Sequence, residues 1–255
     1  MLQRVVVEPA RIQPPIIQLT PEQQHYLHRV LRLKLGDRFI AMDGQGNSWL
    51  ATLNHENAQI LEAVPTHTEL PVAVTLVVAL PKGNAFDDVV RQATELGVAQ
   101  ILPVMSDRTL LNPSPQKLDR WRRIAQEAAE QSERQIVPHL LAPITFTEHL
   151  HQVKPLSQPS LGYLCTPRDC SPHLLTVLLS AAPSQQPPAS LYLATGPEGG
   201  WTEAEIEQAI AVGYQIVSLG DRILRAVTAP IAALSLITAV YDREGRSLLS
   251  QEVAE

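Results

Sequence analysis

The residues that could do chemistry gather in two loops near the C-terminus of the chain. The first is Thr195-Gly196-Pro197-Glu198-Gly199-Gly200. Its glycines let a ligand sit close to the main chain, where turn amides can hydrogen-bond an adenine edge, a ribose or a carboxylate. Glu198 is its one carboxylate. It can orient a ligand amine or act as a base; a solvent-facing glutamate stabilised at a helix N-terminus is the plainer alternative. The loop lacks the Lys-Ser/Thr of a phosphate-binding P-loop, so ATP hydrolysis is not supported. The second loop runs from Asp221 to Thr228, with Arg222 and Arg225 straddling Ile223 and Leu224. An arginine there can clamp a phosphate or carboxylate. A surface arginine paired with Asp221 or Glu203 is the competing reading.

Both loops follow short apolar runs. Leu191 to Ala194 has the pattern of a buried strand, and Thr202 with Glu205 has the spacing of a capping box that starts a helix. Gln215 to Leu219 is a second run, broken at Gly220, and a long apolar helix follows with Pro230 in its first turn. In open α/β sheets ligands bind outside the carboxyl ends of strands, so two such loops in tandem predict one pocket. Upstream, Val72 to Leu80 is almost continuously apolar, as in a strand covered on both faces. Asn84 is placed to cap a helix reaching Leu96. Further strands are expected over Val98 to Met105, Ile136 to Leu141 and Leu161 to Cys165, and further helices over Lys117 to Arg134, Thr147 to Gln152 and Pro172 to Leu179. The alternation predicts a mainly parallel sheet with helices.

Residues 1–70 read differently. Arg4 to Val7, Arg38 to Met42, Ser48 to Leu53 and Gln59 to Val64 are strand-like, and Thr20 with Pro21 and Gln23 starts a helix expected to reach Leu33. The segment reads as a small barrel. Gly44-Gln45-Gly46 lacks the third glycine and the following helix of a dinucleotide fingerprint, so a hairpin turn is the better reading. Arg29, Arg32, Lys34 and Arg38 form the densest basic cluster of this half. The change of period near residue 70 divides the chain into a domain over 1–70 and an α/β domain over 71–255.

Composition narrows the classes. The chain has 255 residues, 45% hydrophobic, with a net charge of -6, which does not by itself advertise a nucleic-acid partner. Its two cysteines, Cys165 and Cys170, form no disulfide framework, and with His173 they do not match zinc spacing, so no metal is expected. There is no Gly-x-Ser-x-Gly and hence no foothold for that hydrolase chemistry. No signal-peptide core or membrane span is read, and a cytoplasmic location is expected. Gln126 to Arg134 is a helix end rich in amides and charges. It suits either a solvated face or a surface turned to a pocket or partner subunit.

Pieces spread along the whole chain resemble one family. They include Arg4, His25 to Leu33 (HYLHRVLRL), Gly36-Asp37, Asp43 to Gly46, Lys82, Thr94 to Gly97, Glu127 to Ser132 with Arg134 and Pro138, Gly196 to Gly200, Leu219-Gly220, and Arg222 to Arg225. In this order they resemble the RsmE family of ribosomal RNA methyltransferases, in the SPOUT superfamily. The resemblance implies an N-terminal PUA-like barrel that binds RNA and a C-terminal SPOUT domain with a trefoil knot in about residues 191–243, an exception to ordinary chain threading. It implies a homodimer that methylates N3 of a uridine in small-subunit (16S) ribosomal RNA, using S-adenosylmethionine. It places the cofactor against Leu193, Thr195, Gly196, Gly200, Leu219, Gly220 and Leu224, with Arg225 and Glu198 as catalytic groups. It gives RNA contacts to Arg4, Arg29, Arg32, Lys34 and Lys82. One departure stands out: where the family usually has Arg-Thr-Glu-Thr-Ala, this chain has Arg225-Ala226-Val227-Thr228-Ala229. The competing readings are a non-catalytic RNA-binding or ribosome-assembly protein of the same fold, and a SPOUT enzyme acting on another RNA.

Overall fold

Two sheets of different character account for the two halves of the chain. The computed structural model describes residues 2–65, 67–109, 113–153, 156, 160–167, 171–181 and 188–252, with side chains as far as Asp242. The chain forms two compact units, one of Met1–Glu69 with Gln126–Val137, the other of Leu70–Ala125 with Pro138–Glu255. Residues 126–137, expected within the C-terminal domain, therefore cluster with the first unit.

In the first unit, β1 (Arg4–Val6), β2 (Ile12–Gln13), β3 (Ile16–Gln18), β4 (Arg38–Met42), β5 (Ser48–Asn54) and β6 (Asn57–Ala63) form a six-stranded sheet in the order β1-β4-β5-β6-β3-β2. It curls over a core that includes Val5, Ile17, Leu27, Phe39 and Leu53. Between β3 and β4, α1 (Pro21–His25) starts with the expected capping box. The Thr20 hydroxyl accepts from Gln23 N, and the Gln23 side chain accepts from Thr20 N. It does not run on to Leu33. Tyr26–Val30 is a π-helical turn with Leu27 buried in the core, and Arg32 ends it with a φ of 58°. The β4–β5 turn is held by the Asp43 carboxylate, which accepts from Gln45 N and Asn47 N. Gly44 and Gly46 there take positive φ values, as a hairpin requires.

The segment 126–137 braces this unit. Glu130 accepts from Val6 N at 2.8 Å, and burial pushes its carboxyl above the ordinary range. Arg4 donates to Glu133 at 2.8 Å. Arg134, only 3% exposed, forks onto Glu69, which also accepts from Gln135 N and Ile136 N. Glu130, Glu133 and Arg134 of the charge-rich helix end thus serve as internal support, while Glu127 and Gln131 are exposed. Glu69→Ala strands a buried guanidinium and two backbone N–H groups. It should cost about 3 kcal/mol of stability, read as a lower midpoint in urea. Glu69→Gln, which keeps an acceptor, should cost less.

In the second unit the chain runs β7 (Ala73–Ala79), α2 (Phe86–Glu95), β8 (Gln100–Met105), α3 (Pro115–Gln131), β9 (His139–Leu140), β10 (Ile144–Thr145), α4 (Phe146–Gln152), β11 (Ser160–Cys165), α5 (Leu174–Ala181), β12 (Ser190–Thr195), α6 (Glu203–Ala211), β13 (Gln215–Val217) and α7 (Thr228–Glu252). All seven strands pair in parallel, in the order β10-β8-β7-β12-β11-β13, with β9 also on β8. The alternating pattern of strands and helices predicted this arrangement. Asn84 does not cap α2 with its side chain; its main-chain carbonyl accepts from Asp87 N. The basic stripe of α3 is largely spent on internal contacts. Lys117 donates to the Gly83 carbonyl, Arg120 pairs with Asp87 and Arg122 with Asp119.

Strand register fixes where a site can form. Val78, Thr195, Cys165 and Val217 stand level at the carboxyl ends of β7, β12, β11 and β13. The chain leaves β7 towards β8 and leaves β12 towards β13, in the directions of opposite edges of the sheet. The crevice beyond that reversal is where such sheets bind ligands.

Candidate active site

A cavity of about 550 Å³ opens at this end of the sheet. The glycine loop after β12 gives it Gly196, Glu198, Gly200 and Trp201. The loop after β13 gives it Leu219, Gly220, Leu224, Arg225 and Val227, and the end of β11 gives it Cys165 and Thr166. The two loops singled out by their residue types thus meet in one pocket. Leu193 and Thr195 are not among its lining residues. Both lie within β12 and are fully buried in the sheet, so only the loop beyond them reaches the cavity.

Neighbouring strand exits hold the glycine loop in place. Arg108 Nη1, beyond β8, donates to the carbonyls of Gly199 at 2.6 Å and Trp201 at 3.3 Å. The Glu198 carboxylate accepts from Lys82 N at 3.0 Å. Thr202 and Glu205 form the predicted capping box of α6, and the buried Glu205 also accepts from Asp107 N. Trp201, just before the N-cap, packs with Ile206 in the same apolar cluster, a hydrophobic staple. Its indole stacks on Phe146 with ring centroids 4.3 Å apart. Beneath lies the buried pair His149–Tyr214, joined at 2.8 Å; burial holds the imidazole neutral by lowering its pKa to about 4. Burial likewise pushes the Cys165 thiol up to about 12, which makes it a wall and not a nucleophile.

Among the described residues, three buried polar atoms here have no hydrogen-bond partner: Thr166 Oγ1, Thr195 Oγ1 and Trp201 Nε1. Thr166 and Trp201 were not singled out from the sequence, although Trp201 carries the staple signal. Arg222 and Arg225 are exposed on the cavity wall, and among the described residues neither pairs with Asp221 or Glu203. Arg29, Arg32 and Lys34 are exposed on the first unit and Lys82 on the second. Arg4 is different: its side chain is 14% exposed and pairs with Glu133 at 2.8 Å. No cluster of three or more metal-ligating side chains occurs among the described residues, and Cys170 lies outside them. Among the described residues no helix is long and apolar enough to cross a membrane.

Residues 68–238 match the family model of an RNA methyltransferase domain, and residues 19–66 that of an RNA methyltransferase PUA domain. The chain is 50% identical to the ribosomal RNA small subunit methyltransferase E of Synechocystis sp., over 95% of this chain and 79% of that protein. The chain belongs to the ribosomal RNA small subunit methyltransferase E family. The Bacillus subtilis member is 30% identical over 93% of this chain and 96% of its own. Among solved structures, the Neisseria gonorrhoeae member of the family, bound to S-adenosyl methionine, superposes with a TM-score of 0.81 at 30% identity, covering 94% of this chain and 98% of its own. A methyltransferase from Legionella pneumophila in complex with the same cofactor gives 0.79 at 27% identity, with 94% and 98% covered. The parallel sheet with helices and the smaller PUA-type sheet are the fold of this family.

Proposed function

We propose that this chain methylates N3 of a uridine in small-subunit (16S) ribosomal RNA, with S-adenosylmethionine bound in the cavity of the second unit. The observation that carries the reading is Arg225, exposed and without an ion pair among the described residues, on the wall of a cavity cradled by glycines at the carboxyl ends of the sheet. The cavity suits that cofactor. Gly200 and Gly220 take φ of 69° and 104° and have open space or only His173 Nε2 at 3.9 Å where a Cβ would stand. Unpartnered polar atoms lie among the lining residues. Gly196, Gly200, Leu219, Gly220 and Leu224 would hold the cofactor, whose sulfonium supplies the methyl group.

The chain's own residues then have two tasks. They must hold the uridine in line at short range, which lowers the barrier by fixing orientation. They must also compensate the charge left when the N3 proton departs. Arg225, with five donors and a fixed positive charge, stabilises the uridine anion. Val227 occupies the place where the family usually has a glutamate, so that part of the wall is apolar and carries no base. Glu198 acts by holding its loop to Lys82 N. Glu198→Gln, which keeps an acceptor, should retain methyl transfer within about threefold, whereas Glu198→Ala should lose about tenfold. A Gln variant as weak as the Ala variant would restore Glu198 as an acid or base.

The exposed Arg29, Arg32 and Lys34 on the first unit, and Lys82 on the second, supply phosphate contacts that position the RNA. A homodimer is part of the reading. α7 buries Ala233, Leu234, Ile237 and Val240 but leaves Ile231 and Leu236 half-covered, and a second copy would cover them. A ribosomal substrate makes the location cytoplasmic. The test is transfer of labelled methyl to small ribosomal subunits from a strain lacking its own enzyme, with nucleoside analysis. N3-methyluridine is expected; cofactor binding without any methylated product would favour a non-catalytic ribosome-assembly role, and a different methylated nucleoside would move the target.

A further inference from the structure

The mouth of the cavity carries an apolar side chain that the fold does not use. Among the described residues Ile223 is the most exposed large apolar side chain, at 63%, and the one of that group that lines the cavity. Single exposed apolar residues are ordinary elsewhere on a surface; here the position decides. The neighbours of Ile223 in its loop differ from it. Leu224 is half-buried and Ala226 buried, whereas Arg222 and Arg225 are exposed. The loop is tied at both ends. Gly220 N donates to Ser218 Oγ at 3.1 Å on the near side, and the Arg225 carbonyl accepts from Thr228 N and Ala229 N on the far side. An isoleucine is thus held in water, between two cations, at the entrance to the reaction site.

We propose that Ile223 is a wedge for the RNA: as the target uridine enters the cavity, the isoleucine packs on the base next to it and takes its place in the stack. The inference rests on the function proposed above. N3 lies on the pairing edge of uracil. A uridine paired or stacked within RNA cannot present that edge inside a cavity, so the base must first be drawn out. Its departure bares one face of the neighbouring base to water. An apolar side chain that covers this face offsets part of the cost, as apolar wedges, isoleucine among them, do where proteins unstack bases. Branching at Cβ stiffens the side chain at χ1, so insertion sacrifices little freedom. Charge selects the partner. Arg222 and Arg225 have no ion pair among the described residues, and a nucleic-acid strand brings phosphates alongside its bases to meet them. A second copy of this chain is the competing occupant.

The test compares wild type with Ile223→Ala, Ile223→Leu and Ile223→Met in single-turnover methyl transfer to small ribosomal subunits. Calorimetry with S-adenosylhomocysteine and sedimentation of the free proteins accompany it. Ile223→Ala should lose about tenfold in rate at saturating subunits, equivalent to ~1.4 kcal/mol. Its affinity for S-adenosylhomocysteine should stay within about twofold and its sedimentation should match wild type. Ile223→Leu and Ile223→Met, which keep an apolar wedge, should stay within about threefold. A photoreactive diazirine amino acid at position 223 then reads the contact directly. Irradiated on subunits, it should crosslink to a nucleotide adjacent to the uridine that the wild type methylates. An Ile223→Ala protein that keeps its rate, loses cofactor affinity, sediments differently or fails to fold would overturn the wedge. So would a crosslink to a second copy of the chain or to a distant nucleotide. A wild type that methylates no RNA would instead overturn the proposed function on which the wedge rests.

Discussion

Gly196→Val abolishes cofactor binding: its affinity for S-adenosylmethionine should fall by at least about a hundredfold, beyond what one lost hydrogen bond explains. Two effects act together. A Cβ at this position would stand 3.2 Å from Trp201 Nε1, 3.3 Å from Cε2 and 3.4 Å from Cδ1, and the two γ carbons of valine add to that crowding. The indole has little room to retreat, since it stacks on Phe146 in a cluster with Leu102, Val104 and Leu150. Overpacking of that kind costs about 1–3 kcal/mol. The second effect is on the ligand, which loses the surface where it meets the main chain. Gly196→Ala is the graded control, because its single methyl needs a shift of only a few tenths of an ångström and should bind at an intermediate level. Backbone strain does not enter, as no left-handed φ is required here, in contrast to Gly200 and Gly220. The measurement is calorimetry, supported by the rise in unfolding midpoint that saturating cofactor gives wild type and should not give the variant. Undiminished binding by Gly196→Val would remove the loop from the site.

What was legible in the sequence was local. Thr202 with Glu205 and Thr20 with Gln23 announced their helices because a capping box is a contact between residues three apart, and both boxes form. The apolar runs of β7 and β12 announced a covered parallel sheet, and with it the end of the sheet where the loops must gather. What stayed hidden depends on partners far along the chain. Arg4 and Arg29 are the same residue type in the same basic half, but Arg4 is neutralised by Glu133, 129 positions away, while Arg29 is exposed. Glu198 reads as a free carboxylate until Lys82 N is found against it. The amide-rich run at 126–134 shows no destination until Val6 N, Arg4 and Glu69 are seen to meet it. Thr166 and Trp201 are the extreme case: the lack of a partner for their side chains among the described residues is a property of the packed structure, and no spacing in the sequence encodes it.

Arg225→Ala separates the chemistry from the binding. Methyl transfer should fall by about 10²–10³, the usual loss when a donor to a developing anion is removed. Cofactor affinity should stay within about twofold, because the proposed cofactor contacts run through the glycine loop, Leu219, Gly220 and Leu224. The backbone at this position is held independently of the side chain: the Arg225 carbonyl accepts from Thr228 N and Ala229 N, both at 2.9 Å, in the first turn of α7. Truncation therefore leaves the loop in place, and the side chain gives up no salt bridge seen among the described residues. Single-turnover methylation of small subunits measures the step directly. A pH series adds a readout that mere loosening would not produce. If Arg225 stabilises the N3 anion, the variant's rate should climb more steeply than that of wild type as pH rises, since solvent deprotonation then supplies what the guanidinium no longer does. A variant with parallel pH dependence and a rate within about threefold of wild type would leave Arg225 as an RNA phosphate contact, and the stabiliser of the anion would have to be sought elsewhere on the cavity wall.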